Sequence, residues 1–206
     1  MNQASVRSRA QLSELINSRA LVDLLFFWGH RPSSNGVVNK SYLSQWFAAS
    51  FILDGKNFLM AEHFMMMKKA ELFGQTDLAE QILASSDPGK AKALGRKVAN
   101  FNEEVWERER WCIVVEANLL KFGQNRRLGS FLKSTGSSVL VEASPLDAIW
   151  GIGLDAKSPD AQNPEHWRGL NLLGFALMEV RDALFGAAAQ QYCGPTMRHS
   201  AISRNP

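Results

Sequence analysis

The sequence predicts an α+β fold, a single mostly helical domain with a small β-sheet. Three observations predict it. From Met60 onward apolar residues recur at helical spacing, and the runs are separated by helix stops and starts at Gly74, Asp87-Pro88 and Asn102. Only short segments read as strands, and two of them flank Asp54-Gly55, a hairpin signal. A chain of 206 residues at 46% hydrophobic is long enough to bury one real core, and it shows no internal repeat.

The elements follow in order. Residues 1–20 read as a polar N-terminal extension with one short amphipathic piece around Leu12 and Ile16. Residues 21–28 form a strand candidate, and a loop rich in Gly, Ser, Pro and Asn covers residues 29–39. Residues 50–53 and 57–59 are the arms of the hairpin. Residues 60–73 make one helix, stopped by Gly74, and residues 77–84 a second. A third opens at Asp87-Pro88, where a first-turn proline loses no hydrogen bond, and runs through Ala91 and Leu94 to Val98. Asn102 caps a long helix over 103–122 with Val105, Cys112, Ala117 and Leu120 on its apolar side. A short helix over 128–132 precedes a buried strand over 138–142. A long loop, 143–164, and a last helix, 167–184, complete a domain spanning residues 21–186. Residues 187–206 show no periodicity and read as an unstructured tail.

Composition narrows the function classes. No apolar run approaches the roughly 20 residues needed to span a bilayer, so no membrane association is expected. No secretory signal is readable, and the two cysteines, Cys112 and Cys193, form no disulfide framework, so a cytoplasmic setting is expected. A net charge of +3 falls far short of the basic stripe of a dedicated duplex binder, although a nucleotide or phosphate ligand stays open. The four histidines, His30, His63, His166 and His199, have no ligand-like spacing, so neither a metal nor a cofactor is expected.

The most informative run is Glu62-His63-Phe64-Met65-Met66-Met67-Lys68-Lys69. On a helix, Glu62 and Lys69 fall within about 20° of each other around the axis. A lysine sharing an apolar face with a carboxylate is either half of a structural ion pair or a functional amine, and both readings stand. The loop Asp147-Ala148-Ile149-Trp150-Gly151-Ile152-Gly153 is too apolar to be disordered. Trp150 could stack on a flat ring there, or Trp150 and Ile152 could plug the core. In Trp167-Arg168-Gly169-Leu170-Asn171-Leu172-Leu173-Gly174, a helix N-terminus with Arg168 could hold a phosphate. The alternative is that Asn171 satisfies a buried backbone group and Gly174 permits close packing. Ser144 has no general base beside it and is followed by Pro145, which favours a turn over a nucleophile.

These segments, in order, resemble the NADAR superfamily, the YbiA-like N-glycosidases. The series includes Phe27-Trp28-Gly29-His30, Leu43-Ser44-Gln45-Trp46-Phe47, Leu53-Asp54-Gly55, Glu62-His63-Phe64 with Lys69-Ala70, and Leu72-Phe73-Gly74. It continues with Ala93-Leu94-Gly95-Arg96, Lys121-Phe122, Val141-Glu142-Ala143-Ser144-Pro145, Asp147, the Trp150 loop and the segment from Trp167 to Gly174. The chain departs from the family pattern at Ala48-Ala49-Ser50 and at Gln75.

The resemblance implies a YbiA-like fold and cleavage of a C–N bond between ribose and a base-like amine. Two substrate classes follow: ribosylamino-pyrimidine phosphates, intermediates of riboflavin biosynthesis, and ADP-ribose on guanine in nucleic acid. A binding module for ADP-ribose or NAD, without turnover, is the non-enzymatic alternative. Breaking an N-glycosidic bond develops positive charge at the anomeric carbon, which suits Glu62 and Asp147. Lys69, with its pKa lowered by an apolar site, is the expected amine for a transient Schiff base, or else an electrostatic partner. Phe27, Trp46 and Trp150 are expected to stack on the base. Arg96, Arg168 and Asn171 are expected to contact phosphate or ribose, and Ser44 and His63 complete the candidate binding set.

Overall fold

The computed structural model describes residues 3–32 and 39–186. The sequence-based tail and part of the 29–39 loop lie outside the described residues. The helices are α1 (Arg9–Asn17), α2 (Ala61–Leu72), α3 (Thr76–Leu83), α4 (Pro88–Gly95), α5 (Glu103–Gln124), α6 (Arg126–Ser134) and α7 (Leu172–Phe185). The strands are β1 (Leu24–Phe27), β2 (Phe51–Leu53), β3 (Lys56–Phe58) and β4 (Val139–Glu142). This is the mostly helical α+β architecture that the sequence predicts.

The sheet is two separate pairs. β1 runs parallel to β4, from Leu24 opposite Val139 to Phe27 opposite Glu142. β2 and β3 form the hairpin. Its turn residues Asp54 (φ 49°) and Gly55 (φ 75°) are both left-handed, the turn geometry that matches strand twist. Helix α2 is buried along its first two turns: residues 61–67 are all covered, the polar Glu62 and His63 among them. Gly74 (φ 71°) follows its end.

Several ends shift by a few residues, with β1 shorter than 21–28 and α6 longer than 128–132, and larger differences fall in α4, α5 and α7. Helix α4 ends at Gly95 rather than at Val98. The buried face of α5 carries Trp106, Val114, Ala117, Asn118, Lys121 and Phe122, whereas Cys112 is exposed. Cys112 lies two residues from Val114, about 200° round the axis, and so faces away. Helix α7 starts at Leu172 because Asn171 is left-handed (φ 57°) and the N–H groups of Arg168 and Leu170 bond to the carbonyls of Ile152 and Ala148 in the neighbouring loop instead.

The short amphipathic piece of the N-terminal extension is α1, and it is part of the core. Ser8 caps it, and Leu12 and Leu15 are buried. Arg7 pairs with Asp182 on α7, and Arg9 donates to the Trp167 carbonyl at 2.8 Å.

Candidate active site

A cleft of about 220 Å³ opens between α2, α4, the turn around Ser44–Trp46 and the loop after β4. Helix α2 supplies the first wall. It starts at Ala61 without a side-chain cap, and the Glu62 N–H instead donates to the Gln45 carbonyl at 3.0 Å. This places the Glu62 carboxyl in the first helical turn, where the helix dipole favours an acid. Two turns on, at the other end of the same face, Lys69 is half-buried.

Among the described residues no ion pair joins Glu62 to Lys69. The Lys69 ammonium lies instead 4.2 Å from the Phe101 ring centre and 5.5 Å from that of Trp106. Burial lowers its pKa, and Glu103 opposes that effect. The structural ion pair considered for the Glu62–Lys69 face is therefore not formed, and the amine faces aromatic rings.

Burial also pushes the Glu62 carboxyl up to about 7. Lys92 opposes that shift, Asp147 adds to it, and a hydrogen bond from the Trp46 side chain and the charge of Arg96 oppose it. Lys92 and Arg96 belong to α4 and its C-terminal cap. They reach the cleft because α4 packs tightly on α2: a Cβ on Gly95 would lie 2.2 Å from Met66 Sδ. Trp46 is half-buried, with Lys92 Nζ 5.5 Å from its ring and the His30 ring 5.5 Å away.

The opposite wall is the end of β4 and the loop that follows. Asp147 Oδ1 accepts from the N–H groups of Ile149 and Trp150 at 2.9 and 2.8 Å, so one carboxylate oxygen folds the loop. Trp150 lines the cleft, whereas Ile152 is fully buried in the core. Ile152 plugs the core as one reading of this loop expected, while Trp150 both packs against the core and borders the cleft. Glu142 also lines the cleft. Burial pushes its carboxyl up to about 8, and Asp147 and Glu62 push the same way, with Lys92 opposing.

Of the residues singled out in the sequence, Glu62, Lys69, Asp147, Ser44, Trp46, Arg96 and Trp150 line this cleft. Phe27, His63, Arg168 and Asn171 do not, and each has a physical reason. Phe27 is a core residue on β1, 2% exposed. His63 is buried, with Nε2 against the Ile82 carbonyl and Nδ1 accepting from the Leu59 N–H at 3.4 Å, and burial lowers its pKa. Asn171 bridges backbones: Oδ1 accepts from Glu142 N–H and Nδ2 donates to the Leu140 carbonyl, both at 2.9 Å. Arg168 is exposed and packs beside Gly153.

At the start of α7, where one reading placed a phosphate, the backbone is already engaged. The N–H groups of residues 170–173 donate to the carbonyls of Ala148, Gly151, Ile149 and Trp150 at 3.0–3.2 Å, which leaves none of these four for an anion. Gly174 permits close packing, since a Cβ there would lie 2.0 Å from the Leu140 carbonyl oxygen.

Sequence reasoning missed Glu142, Lys92, Gln45 and Trp106 as cleft residues. Glu142 and Gln45 stood inside the motifs quoted, but Lys92 had no local signal, because it looks like any solvated lysine on a short helix. Among the described residues no group of three His, Cys, Asp or Glu side chains could hold a metal ion, and no helix is long and apolar enough to cross a membrane.

Comparison with known proteins adds to this geometry. The NADAR domain model matches residues 26–185. The chain belongs to the NADAR domain family. It is 42% identical over 163 residues to N-glycosidase R617 of Acanthamoeba polyphaga mimivirus, covering 77% of this chain and 94% of that protein. It is 34% identical over 114 residues to the chloroplastic riboflavin biosynthesis protein PYRR of Zea mays, covering 53% of this chain and 16% of that longer protein. The NMR structure of the Escherichia coli protein YbiA shares the fold, with a TM-score of 0.64 at 24% identity over 88% of this chain and 94% of that one.

Proposed function

We infer that this NADAR chain is an N-glycosidase that hydrolyses the C–N bond between ribose and a base-like amine. The substrate class is a ribosylamino-pyrimidine phosphate. One observation carries the reading: the Lys69 amine, moved toward its neutral form by burial against the pull of Glu103 and in no ion pair among the described residues, opens on the same cleft as the Glu62 and Asp147 carboxyls. The similarity to N-glycosidase R617 supports the reaction, and the similarity to PYRR supports the substrate class.

The chemistry suits these groups. An exocyclic ribosylamine opens to an imine, which an unprotonated amine attacks; Lys69 is that amine and forms a transient Schiff base. Glu62 and Asp147 stabilise the positive charge that develops at the anomeric carbon. Trp46 and Trp150, on facing walls, stack on the base. Arg96, with Lys92 beside it, takes the phosphate.

Base release measured by chromatography tests the reading on two substrates: a ribosylaminopyrimidine phosphate and an oligonucleotide carrying ADP-ribosylated guanine. Each is run beside Lys69→Ala. Lysine-dependent release from the pyrimidine is the expected result. Release from the oligonucleotide alone would keep the N-glycosidase and replace its substrate. Binding of ADP-ribose with release from neither would make the chain a binding module.

A further inference from the structure

We propose that Glu142 is the proton donor to the leaving nitrogen, a third carboxyl with a role separate from those of Glu62 and Asp147. The proposal rests on the N-glycosidase reading above.

The position of Glu142 is fixed from three sides. Asn171 Oδ1 accepts its N–H at 2.9 Å, the Ile152 N–H donates to its carbonyl at 2.9 Å, and β1 holds β4 in register beside Phe27. Gly151 lets the loop close on it, since a Cβ at 151 would lie 2.8 Å from the Glu142 carbonyl oxygen. A rigid backbone at the end of a strand delivers the carboxyl to the cleft with little freedom to stray.

The side chain has the opposite character: one of its oxygens has no partner, and the charge of Lys92 is set against the two acids beside it. Its Oε2 is sealed from solvent without a hydrogen-bond partner, and among the described residues no cation lies within ion-pair distance. A carboxylate oxygen buried away from every donor is costly, and the carbonyl oxygen of a neutral carboxyl costs less. The titratable groups around it are Asp147 on the following loop, Glu62 on α2 and Lys92 on α4. β1 and α7 present Phe27 and Asn171, which carry no charge. Two of those three neighbours are acids, so the neutral form persists into the neutral pH range, consistent with a carboxyl raised to about 8.

Glu62 also has one buried oxygen without a partner and shares the charge of Lys92, but it differs in the Trp46 hydrogen bond and the charge of Arg96, which favour its anion. Both carboxyls are raised by burial, and Glu142, with two acids beside it and no partner at Oε2, is the better placed of the two to keep a proton.

The step balances. Lys69 Nζ adds to C1′ of the opened imine, so that C1′ carries both amines. The C1′–N bond to the base breaks, its electron pair stays on the leaving nitrogen, and the Glu142 proton goes to that atom. The Nζ lone pair closes the C1′=Nζ bond. Water then adds to C1′ and returns a proton to Glu142, and cleavage of C1′–Nζ releases the sugar and the free lysine.

The test compares Glu142→Gln with wild type on two ribosylaminopyrimidine phosphates, one carrying a ring amine and one a ring nitro group in its place. The nitro group makes the leaving nitrogen far less dependent on protonation. Glu142→Gln should lose about 10²- to 10⁴-fold in kcat on the amino substrate, the usual range for general acid catalysis, and less than about tenfold on the nitro substrate. The alkaline fall in the wild-type rate near pH 8 should disappear in the variant. Glu142→Asp, which keeps a proton at shorter reach, should restore part of the rate and the alkaline limb. Equal losses on both substrates, or an alkaline limb that survives in Glu142→Gln, would overturn the proposal and leave Lys69-dependent cleavage standing. A wild-type protein that releases neither base would take the N-glycosidase reading down together with it.

Discussion

Lys69 on α2 and Lys121 on α5 carry the same amine, and burial lowers the pKa of both, yet only Lys69 opens on the cleft. Lys121 is fully sealed and drops to about 7 through burial alone. It donates to the Ser44 carbonyl at 2.7 Å and packs 4.9 Å from the Phe122 ring centre and 6.0 Å from that of Phe47. Lys69 has no such hydrogen bond among the described residues and keeps partial access to the cleft. The contrast shows that a perturbed pKa does not by itself locate chemistry. Access to the cleft is what separates the two amines. Lys121 works one step back, pinning the turn whose next two residues, Gln45 and Trp46, line the cleft.

That comparison breaks first at Lys69. Lys69→Ala and Lys69→Arg should each cost at least about 10²- to 10⁴-fold in kcat, because neither supplies a neutral nucleophile. The thermal melt should stay within a few degrees of wild type. A Lys69→Arg variant that kept a tenth of the rate would make the residue an electrostatic partner, and the distinction from Lys121 would collapse.

Lys121 should show the reverse pattern. Lys121→Ala leaves a cavity and an unpartnered Ser44 carbonyl, which should cost about 2–5 kcal/mol of stability by urea titration. Lys121→Met, which keeps the volume, should cost less, since it also removes a buried amine. Both should retain Lys69-dependent turnover where they fold. Loss of turnover in a fully folded Lys121→Met would show that the turn needs the amine and not only the packing.

The smallest and sharpest effect is on stability against pH. The Lys121 amine falls to about 7 in the fold from an ordinary value of 10.5. Between those values the unfolded chain binds more protons, so stability should rise with pH, at most on the order of 1 kcal/mol per pH unit. Lys69 contributes with the same sign. Glu62 and Glu142 rise from 4.5 to about 7 and about 8, so between 4.5 and those values the folded chain binds more protons and stability should fall as pH rises. The melting temperature should therefore decline from pH 5 to 7 and climb from pH 8 to 10. Lys121→Met should remove most of the climb and leave the decline.

The sequence made the first wall of the cleft legible and the second only partly so. Glu62 and Lys69 share one helix, so their common face follows from a spacing of seven. Asp54-Gly55 and Asn102 announced the hairpin and the long helix in the same local way. Glu142 and Lys92 join the site through the β1–β4 pairing and the α2–α4 packing, which are tertiary facts with no local signature. His63 and Asn171 looked functional because a polar residue among apolar ones invites that reading. In the fold their polar atoms go to the Ile82 carbonyl and to the backbone of β4. The expected start of α7 at residue 167 failed for a similar reason: a left-handed Asn171 and four N–H groups bonded to the Trp150 loop move the first helical turn to Leu172.

The central claim is that Lys69 is a nucleophile, and borohydride trapping tests it most directly. Wild-type protein turning over a ribosylaminopyrimidine phosphate is reduced, digested and read by mass spectrometry. One sugar-phosphate adduct is expected on the peptide carrying Lys69, absent in Lys69→Ala, with none on Lys121. Continued base release with no adduct on Lys69, or an adduct on another lysine, would contradict it.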